Sequence, residues 1–380
     1  MRSPVECPVC QSPNAKSLYL FKGADVVECH HCSTVYVPMP APEFTSMYTE
    51  DYYANEGQSS GYHSYRAEFT SHLITFGKRL EDTEKLRDGR QGRLLDVGCA
   101  LGHLGETARR RGWDVYVTDV SEYAVLEARS GFGLNGFISA PDKISVKPGR
   151  FDLITMYDVI EHLSHPLDLM KGVRQALASD GLVHITTPDI SSLSAKLMGR
   201  HWYHLKPNEH LIYFTPSTLR LALETSGFEV VKIKPVSTYM RLNDIFLRLE
   251  RYSRPVARFL AGLAGYFGLK DWRLKIYVGE MQAWARPARS GASPAEITKS
   301  QVAGQARALK AIKRSEKEKV EPVRDILDIV CCSNCRSEIQ LFEESEAICT
   351  QCELSYEVVK GVINFSKYAK RGKQKLVGSS

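Results

Sequence analysis

The segment LLDVGCALGHL, at residues 94–104, combines an acidic residue with a glycine-containing turn. Asp96 stands near the end of an apolar run, and Gly98 and Gly102 lie in the turn after it. Glycines let a ligand approach the backbone, and a helix that begins after the turn offers its N–H groups. The G-x-G-x-x-G spacing of a dinucleotide site is absent, and an acid here would repel a pyrophosphate. The segment therefore indicates a ligand that carries an ammonium group.

A second carboxylate, Asp119, ends the next apolar run, DVYVTD. A carboxylate at the end of a second strand can accept two hydrogen bonds from a ribose diol. A ligand that suits both acids has an adenosine-like ribose, a positively charged amino-acid portion and no phosphate. S-adenosylmethionine fits this description, and NAD fits it badly.

Eight of the ten cysteines form paired C-x₂-C motifs, one set near each end of the chain. Spacers of eighteen and thirteen residues are long enough for a hairpin to return the second pair to the first. Four thiolates leave no open position, so each set predicts a structural zinc ion rather than a redox pair. His30 and His31 are expected to be exposed spacers, and Cys331 a bystander. The ligands would be Cys7, Cys10, Cys29 and Cys32 in one set and Cys332, Cys335, Cys349 and Cys352 in the other.

Composition limits the class of protein. The 380 residues carry a formal net charge of +6, a smaller excess than that of a dedicated nucleic-acid binder. No run of eighteen apolar residues occurs, and MRSPVECPVC lacks the apolar stretch of a secretory signal. We therefore expect a cytoplasmic protein, in which ten cysteines would be unusual as disulfides.

The patterns of strands and helices alternate through the middle of the chain, which predicts an α/β fold with a doubly wound, Rossmann-like sheet. Ligands of such sheets bind beyond the carboxyl ends of the strands, where Asp96 and Asp119 fall. The predicted strands are 93–98, 114–119, 136–139, 151–158, 181–189, 228–236 and 275–285.

Several segments, taken in order, resemble class I S-adenosylmethionine-dependent methyltransferases. LLDVGCALGH resembles their first motif, YVTD their second and FDLITMYDVIEHL their fourth-strand segment. Residues 199–219 resemble the region after the fifth strand in a branch that carries an N-terminal zinc ribbon and is associated with glycan, lipid and secondary-metabolite modification. The resemblance covers about residues 5–287 and implies a seven-stranded methyltransferase sheet, flanked here by two small zinc ribbons.

The resemblance also implies roles for individual residues. Asp96, Gly98 and Gly102 would frame the methionine end of the cofactor, Asp119 would hold the ribose hydroxyls and Val120 would pack on adenine.

Three further residues near the cofactor have less specific expectations. Asp142 would either accept a hydrogen bond from the adenine amino group or be a solvated loop residue. Tyr157 would line the sulfonium side. Cys99 is expected to be a packing residue rather than a nucleophile.

Methylation of a hydroxyl needs a base near the methyl group, and two segments offer one. In the first, Asp158, Glu161 and His162 share one face at helical spacing. Asp158 and Glu161 could simply cap a helix, or a carboxylate could orient His162 as the base. The D-x-x-E-H pattern also resembles a magnesium-binding segment of some quinone O-methyltransferases.

The second segment, Asn208-Glu209-His210, follows His201, Trp202, Tyr203 and His204. In the superfamily this loop borders the acceptor pocket, so His210 is a second candidate for the base. Asn/Asp-Pro-Pro-Tyr, common in enzymes that methylate exocyclic amines or glutamine amides, is replaced here by residues 156–159, MYDV. This replacement favours a hydroxyl or an activated carbon as the acceptor.

The predicted organisation has six parts. A helical insertion at 237–274 contains apolar residues and arginines at helical spacing. This pattern suits either a membrane surface with a lipid-linked acceptor or a cap over the active site. Tyrosines at 48, 52, 53, 62 and 65 would form a lid or bridge the first ribbon to the sheet. The parts are a zinc ribbon at 1–40, a lid and lead-in helix at 41–92, a methyltransferase domain at 93–286 with the helical insertion at 237–274, a linker at 287–325, a second ribbon at 326–365 and a basic tail at 366–380.

The second ribbon, including its closing GVINF, resembles the small zinc-ribbon subunit that activates several tRNA, rRNA and release-factor methyltransferases. That subunit holds its enzyme through strand addition, so we expect the fused ribbon to dock on its own catalytic domain or on that of a partner. The leading hypothesis is methylation of a hydroxyl on a small molecule, sugar or lipid-linked glycan. An RNA or translation-associated protein is the alternative acceptor, and a non-catalytic cofactor-binding scaffold is the weakest hypothesis.

Overall fold

The computed structural model describes residues 6–21, 24–38, 68–139, 143–251, 253–288, 326–343 and 345–370. Asp142, the five tyrosines between 48 and 65 and most of the predicted linker lie outside these described residues. None of the described helices has the length and hydrophobicity needed to cross a membrane.

The central domain alternates strands and helices as the sequence pattern indicates. Its helices are α1 (Phe69–Leu86), α2 (His103–Arg110), α3 (Glu122–Phe132), α4 (Pro166–Ala176), α5 (Leu193–Met198), α6 (Pro216–Thr225), α7 (Leu242–Arg248) and α8 (Arg254–Tyr266). Fifteen strands are described: β1 (Ala15–Phe21), β2 (Ala24–Cys29), β3 (Val35–Tyr36), β4 (Arg93–Val97), β5 (Asp114–Asp119), β6 (Asn135–Ile138), β7 (Phe151–Tyr157), β8 (Leu177–Pro188), β9 (Ile212–Tyr213), β10 (Phe228–Arg241), β11 (Arg273–Pro287), β12 (Ile339–Glu343), β13 (Glu346–Cys349), β14 (Leu354–Val359) and β15 (Val362–Lys370).

Strands β10-β11-β8-β7-β4-β5-β6 lie side by side in that order. The five from β8 to β6 are parallel, whereas β11 pairs antiparallel with both β8 and β10. The strand order reverses between β4 and β7, so the carboxyl ends of these two strands border a crevice suited to a ligand. The fold is therefore an α/β Rossmann-like fold with a mixed sheet.

Two apolar layers cover the faces of this sheet, because successive side chains of a strand point to opposite sides. Leu94 and Leu153 belong to one buried cluster, and their neighbours Leu95 and Ile154 belong to the other. A sheet buried on both faces accounts for the nearly continuous apolar runs in the sequence.

The β10–β11 hairpin is longer than the sequence pattern predicted. Its pairing continues to Arg241 opposite Arg273, with Tyr239 opposite Lys275. Helices and turns therefore occupy a shorter insertion than residues 237–274, because both flanking strands extend into it.

The N-terminal segment forms a separate four-stranded sheet in the order β1-β2-β3-β9. Its last strand, β9, comes from the loop region that follows β8, and Val35 of β3 lies opposite Tyr213. The N-terminal segment thus adjoins the region 199–219 that the sequence singled out.

The C-terminal strands extend the central sheet. β15 pairs in parallel with β6 through Asn364 and Ile138, and β14, β13 and β12 follow it. The sheet therefore has eleven strands rather than the seven of the methyltransferase domain. The predicted tail at 366–380 begins too early, because residues 366–370 belong to β15 and Lys370 lies opposite Leu354.

Candidate functional site

The turn after β4 is held by the neighbouring strand. The N–H groups of Gly98 and Cys99 donate to the Thr118 carbonyl at 2.8 and 3.1 Å. Gly98 has a φ of +74°, and a side chain there would lie 2.5 Å from Cγ2 of Val159. Only glycine satisfies both conditions, so the turn presents backbone to the cavity beside it.

Asp119 fixes the same turn and also lines the cavity. Its Oδ2 accepts from the Ala100 N–H at 3.0 Å, and its Oδ1 accepts from the Ser121 N–H at 2.9 Å. Burial raises the pKa of this carboxyl. A carboxylate oxygen has two lone pairs, so each oxygen of Asp119 can accept one more hydrogen bond, as a ribose diol requires.

Asp96 occupies the floor of the cavity at the end of β4. Its Oδ1 accepts from Thr155 Oγ1 at 2.8 Å. Burial, with a smaller contribution from the negative charge of Asp119, raises the pKa of Asp96 to about 7. A cation beside Asp96 would favour its ionised form, so the site suits a ligand with an ammonium group.

Gly102 packs the helix after the turn rather than the cavity wall. It is the N-cap of α2 with a φ of +80°, and a side chain there would lie 2.7 Å from Cβ of Ala128. Among the described lining residues are Asp96, Gly98, Asp119 and Val120, whereas Gly102 is not one of them.

Cys99 is buried in the apolar cluster that includes Leu104 and Val115. Burial raises the pKa of its thiol well above the ordinary value. A thiol that stays protonated is a poor nucleophile, so these observations favour packing as its role.

One face of α1 and its N-terminus also lines the cavity, through Glu68, His72, Thr75, Phe76 and Arg79. The buried guanidinium of Arg79 donates to Oε2 of Glu280 at 2.9 Å and to Oγ1 of Thr186 at 3.3 Å. This pair holds a carboxylate from β11 at the cavity. Sequence analysis identified neither partner. For Glu280, the signal was an acid inside the apolar run of KIYVGEMQAWA.

Tyr157 and Asp158 both line the cavity, but the Tyr157 hydroxyl is engaged elsewhere. It bonds Nδ1 of His184 at 2.8 Å, and the Arg79 guanidinium lies 5.3 Å from its ring centroid. Asp158, with a φ of +57°, accepts from Thr186 Oγ1 at 3.3 Å. The Asp158 side chain is accessible from the cavity, but protein atoms surround it on its other sides. This desolvation, together with the negative charge of Glu280, raises the pKa of Asp158.

A second cluster on the cavity wall unites the two segments that sequence analysis proposed for the base. Glu161, His162 and His210 each place one ligand-type atom within 4.8 Å of the others. His162 Nδ1 donates to the Glu209 carbonyl at 2.8 Å, and His210 Nδ1 donates to the His204 carbonyl at 2.9 Å. A carbonyl can only accept, so Nε2 of the neutral imidazole carries the lone pair in each ring.

Burial lowers the pKa of His210 well below its ordinary value and lowers that of His162 to about 4, so both rings are neutral near pH 7. Glu161 accepts from Thr187 Oγ1 at 3.0 Å through Oε2, whereas its buried Oε1 has no hydrogen-bond partner among the described residues. Burial raises the pKa of Glu161 well above the ordinary value. An orphaned carboxylate oxygen beside two neutral imidazoles is suited to hold a cation.

The two cysteine sets are each compact. Sγ–Sγ distances are 3.6 Å for Cys7 and Cys32 and 3.5 Å for Cys10 and Cys29. The distances are 3.5 Å for Cys332 and Cys352 and 3.4 Å for Cys335 and Cys349. A tetrahedral zinc with Zn–S bonds of about 2.3 Å separates its sulfurs by about 3.8 Å. Both sets therefore fit a zinc ion, and His30 and His31 are exposed, as expected of spacers.

Comparison with known proteins identifies the family of the central domain. A family profile described as a methyltransferase domain matches residues 62–233. The ubiquinone biosynthesis O-methyltransferase of Pseudomonas aeruginosa is 30% identical over 194 residues, which are 44% of this chain and 84% of that protein. The chain belongs to the S-adenosylmethionine-dependent methyltransferases.

Another relative of this methyltransferase has the same name as the Pseudomonas aeruginosa protein. The ubiquinone biosynthesis O-methyltransferase of Roseobacter denitrificans is 29% identical over 153 residues, and this chain spans 62% of its length. Among solved structures, the PH0226 protein of Pyrococcus horikoshii OT3 matches 65% of this chain and 100% of its own at 15% identity, with a TM-score of 0.42. The prediction of an S-adenosylmethionine-dependent methyltransferase enzyme is confirmed by the family.

Proposed function

We propose that this methyltransferase transfers the methyl group to a hydroxyl of a small molecule, sugar or lipid-linked glycan. The observation that carries the proposal is the neutral His210, which lines the same cavity as Asp96 and Asp119 and keeps its lone pair on Nε2 because Nδ1 donates to the His204 carbonyl. A hydroxyl must lose its proton during transfer, so a base near the methyl group is needed. The relatives named O-methyltransferases support the same class of acceptor.

In this proposal, residues at the carboxyl ends of β4 and β5 would hold the cofactor. Asp96 would pair with its ammonium group, Asp119 would accept from its ribose hydroxyls, and Val120 would contact the adenine. Gly98 lets it approach the backbone, whereas Gly102 acts indirectly by seating α2 against Ala128. Asp142 is proposed for the adenine amino group on the sequence resemblance alone.

The reaction would proceed by in-line displacement at the methyl carbon. The bound cofactor supplies a methyl group on a sulfonium, with S-adenosylhomocysteine as the leaving group. The O–C bond forms as the C–S bond breaks, and the hydroxyl proton passes to Nε2 of His210. Much of the acceleration would come from alignment of the reactants and exclusion of water, to which the rings of Tyr157 and Phe76 contribute as cavity walls.

A cation at Glu161, His162 and His210 is a second way to activate the hydroxyl. A metal ion lowers the pKa of a bound hydroxyl, so an oxyanion could form without a strong base. Magnesium prefers oxygen ligands, whereas two imidazoles and one carboxylate suit a transition metal. We therefore propose a transition-metal dication in place of the magnesium ion that the D-x-x-E-H pattern suggested, with Asp158 outside the three-ligand group.

Helix α8 supports the lipid-linked version of the acceptor. Its buried residues are the small Ala257 and Ala264, whereas Val256, Phe259 and Tyr266 are 52%, 68% and 84% exposed. A helix that buries alanines and exposes aromatic residues presents its apolar face outward.

Three basic residues of the same segment are also exposed, Arg254, Arg258 and Lys270, of which Arg258 pairs with Glu250 at 3.2 Å. Exposed aromatic residues with adjacent cations are the pattern of an interfacial helix. Tyr239, Met240 and Arg248 of the same region line the cavity, so a membrane-surface contact here would place the cavity near a lipid-linked acceptor.

The two ribbons complete the proposal as structural zinc sites. The Sγ distances support zinc at both. The parallel pairing of β15 with β6 supports docking of the C-terminal ribbon on its own catalytic domain rather than on a partner.

The acceptor can be identified with methyl-labelled S-adenosylmethionine, purified protein and a host extract separated into nucleic-acid, protein, lipid-glycan and small-molecule fractions. Label in the lipid-glycan or small-molecule fraction, resistant to nuclease and protease, is the expected result. Label that ribonuclease or protease removes would replace the proposal with the RNA or protein alternative.

A further inference from the structure

The segment from Lys143 to Lys147 connects the cofactor side of the cavity with the C-terminal ribbon. Ser139, Lys143 and Ile144 line the cavity beyond the end of β6, where Asp119 and Val120 also lie. The same segment continues as the buried Ser145 and Val146. Its position therefore affects the shape of the cavity next to the proposed adenine site.

Hydrogen bonds from the C-terminal ribbon hold the backbone of this segment. The Cys331 N–H donates to the Ser145 carbonyl at 3.0 Å, and the Lys147 N–H donates to the Ile329 carbonyl at 2.7 Å. These bonds flank an antiparallel bridge between Val146 and Val330. The segment lies outside the regular strands of the catalytic domain, so the ribbon supplies its pairing.

Arg336 adds a two-pronged contact to the same backbone. Its Nη1 donates to the Ile144 carbonyl at 2.8 Å, and its Nη2 donates to the Val146 carbonyl at 2.6 Å. Both carbonyls belong to buried residues, and a buried carbonyl without a partner is destabilising. A planar guanidinium can satisfy two such oxygens at once, which a lysine cannot.

The cysteine set of the ribbon places this arginine. Arg336 directly follows Cys335, has a φ of +66° and donates its N–H to the Cys332 carbonyl at 3.0 Å. The Cys332 N–H in turn donates to the Ser337 carbonyl at 2.9 Å. A zinc ion that fits these cysteines would hold the loop, and the loop aims the guanidinium at the catalytic domain.

We propose that Arg336 is a positioning residue for the cofactor, through which the C-terminal ribbon sets the affinity of the catalytic domain for S-adenosylmethionine. Arg336 fixes residues 143–147 in the conformation that completes the cavity wall. Loss of the arginine, or of the metal-held loop that carries it, would loosen this wall and weaken cofactor binding. The inference rests on the proposed placement of the cofactor and is independent of the acceptor.

The test measures the affinity of the full-length protein for S-adenosylhomocysteine by calorimetry, with no acceptor present. Arg336→Ala should weaken binding by about tenfold or more, because two charge-assisted hydrogen bonds to the wall are lost. The affinity of Arg336→Lys should fall between that of the unsubstituted protein and that of Arg336→Ala. Hydrogen exchange of the peptide covering 143–150 should become faster in Arg336→Ala.

Arg129→Ala is the matched control. Arg129 lies at the same contact between domain and ribbon, where Nη1 donates to the Gly361 carbonyl at 2.7 Å, and among the described residues its hydrogen bond is to the ribbon and not to residues 143–147. Its loss should change affinity by less than about twofold.

Two results would overturn the assignment. One is unchanged affinity in Arg336→Ala. The other is an equal loss in both variants, which would indicate general undocking of the ribbon. Failure of the unsubstituted protein to bind S-adenosylhomocysteine would instead contradict the proposed cofactor site, so the two proposals fail in distinguishable ways.

Discussion

The rings of His162 and His210 lie 4.8 Å apart at an interplanar angle of 88°, although 47 residues separate them in the chain. Each ring donates through Nδ1 to a backbone carbonyl, which sets the tautomer of both. The two segments that offered competing bases in the sequence therefore form one cluster, with Glu161 as its acidic member.

Replacement of His210 by alanine should lower turnover by about a hundredfold or more, the range expected for loss of a general base. The affinity for S-adenosylhomocysteine should stay unchanged, because His210 acts on the acceptor. Labelled methyl transfer gives turnover, and calorimetry gives affinity. His201→Ala is the control, since His201 is an exposed histidine of the same segment. Turnover equal to that of the unsubstituted protein would remove His210 from the mechanism.

The metal content of the purified protein distinguishes two mechanisms: His210 acting alone as the base, and activation of the hydroxyl by a cation bound at Glu161, His162 and His210. If the Glu161 cluster holds a dication, elemental analysis should find about three metal ions per chain, two of them zinc in the cysteine sets. Glu161→Gln should reduce the content to about two and lose most of the activity, because it removes the only negatively charged ligand of the cluster. About two ions in both proteins, with activity indifferent to a chelator, would leave His210 as an unassisted base.

The affinity for the cofactor should depend on pH through Asp96, whose pKa is raised to about 7 in the cofactor-free protein. Below this pH the carboxyl holds a proton that must leave before it can pair with an ammonium group. Affinity for S-adenosylhomocysteine should therefore fall as pH is lowered from 7.5 to 5.5, by up to about tenfold per unit below the pKa.

Asp96→Asn should bind more weakly at pH 7.5 and show a shallower pH dependence, with the residual slope arising from Asp119, whose pKa burial also raises. Calorimetry in buffers of different ionisation enthalpy should detect proton release by the unsubstituted protein at pH 6. An identical pH dependence in the two proteins would exclude Asp96 as the titrating group.

The packing role of Gly102 can be separated from its backbone role. Gly102→Ala and Gly133→Ala both place a side chain at positive φ, at +80° and +67°, which costs about 1 kcal/mol in each. Only Gly102 meets a neighbour, Ala128, so it should lose about a further 1–3 kcal/mol of unfolding free energy. Urea titration measures both variants, and equal losses would show that the contact with Ala128 relaxes freely.

The outer face of α8 should bind anionic lipid. In flotation with anionic liposomes at low salt, the protein should float, and a Phe259→Ser, Tyr266→Ser double variant should stay in the dense fraction. Leu20→Ser is the control, because Leu20 is also highly exposed, at 70%, but lies in the N-terminal sheet. If the unsubstituted protein does not float, α8 has no role in membrane binding.

Local patterns predicted the parts of the fold that depend on short-range chemistry. The apolar runs predicted β4, β5 and β7 nearly to the residue. The carboxylates Asp96 and Asp119 face one cavity because parallel strands end at the same edge of a sheet. The C-x₂-C spacing likewise predicted which thiols meet.

Local sequence patterns could not predict side-chain contacts between residues that are far apart in the chain. Nothing in the sequence near Arg79 signals that it meets Glu280, since 200 residues lie between them. Tyr157 was expected to line the sulfonium side and does line the cavity, but its hydroxyl bonds His184 of the neighbouring strand, a contact that no local pattern indicates. Neither case could be inferred, because both depend on which side chains the sheet and α1 bring together.

The sequence by itself determined the class of chemistry, since acids, glycines and cysteines at fixed spacing are local features with direct chemical consequences. Only the tertiary structure decided how the distant parts combine: Glu161 with His210, and Arg336 with the backbone of Ile144 and Val146. Contacts of this kind depend on the order of strands in the sheet and on the edge where β15 is added. That order is fixed by burial over the whole molecule, which no single segment of the sequence contains.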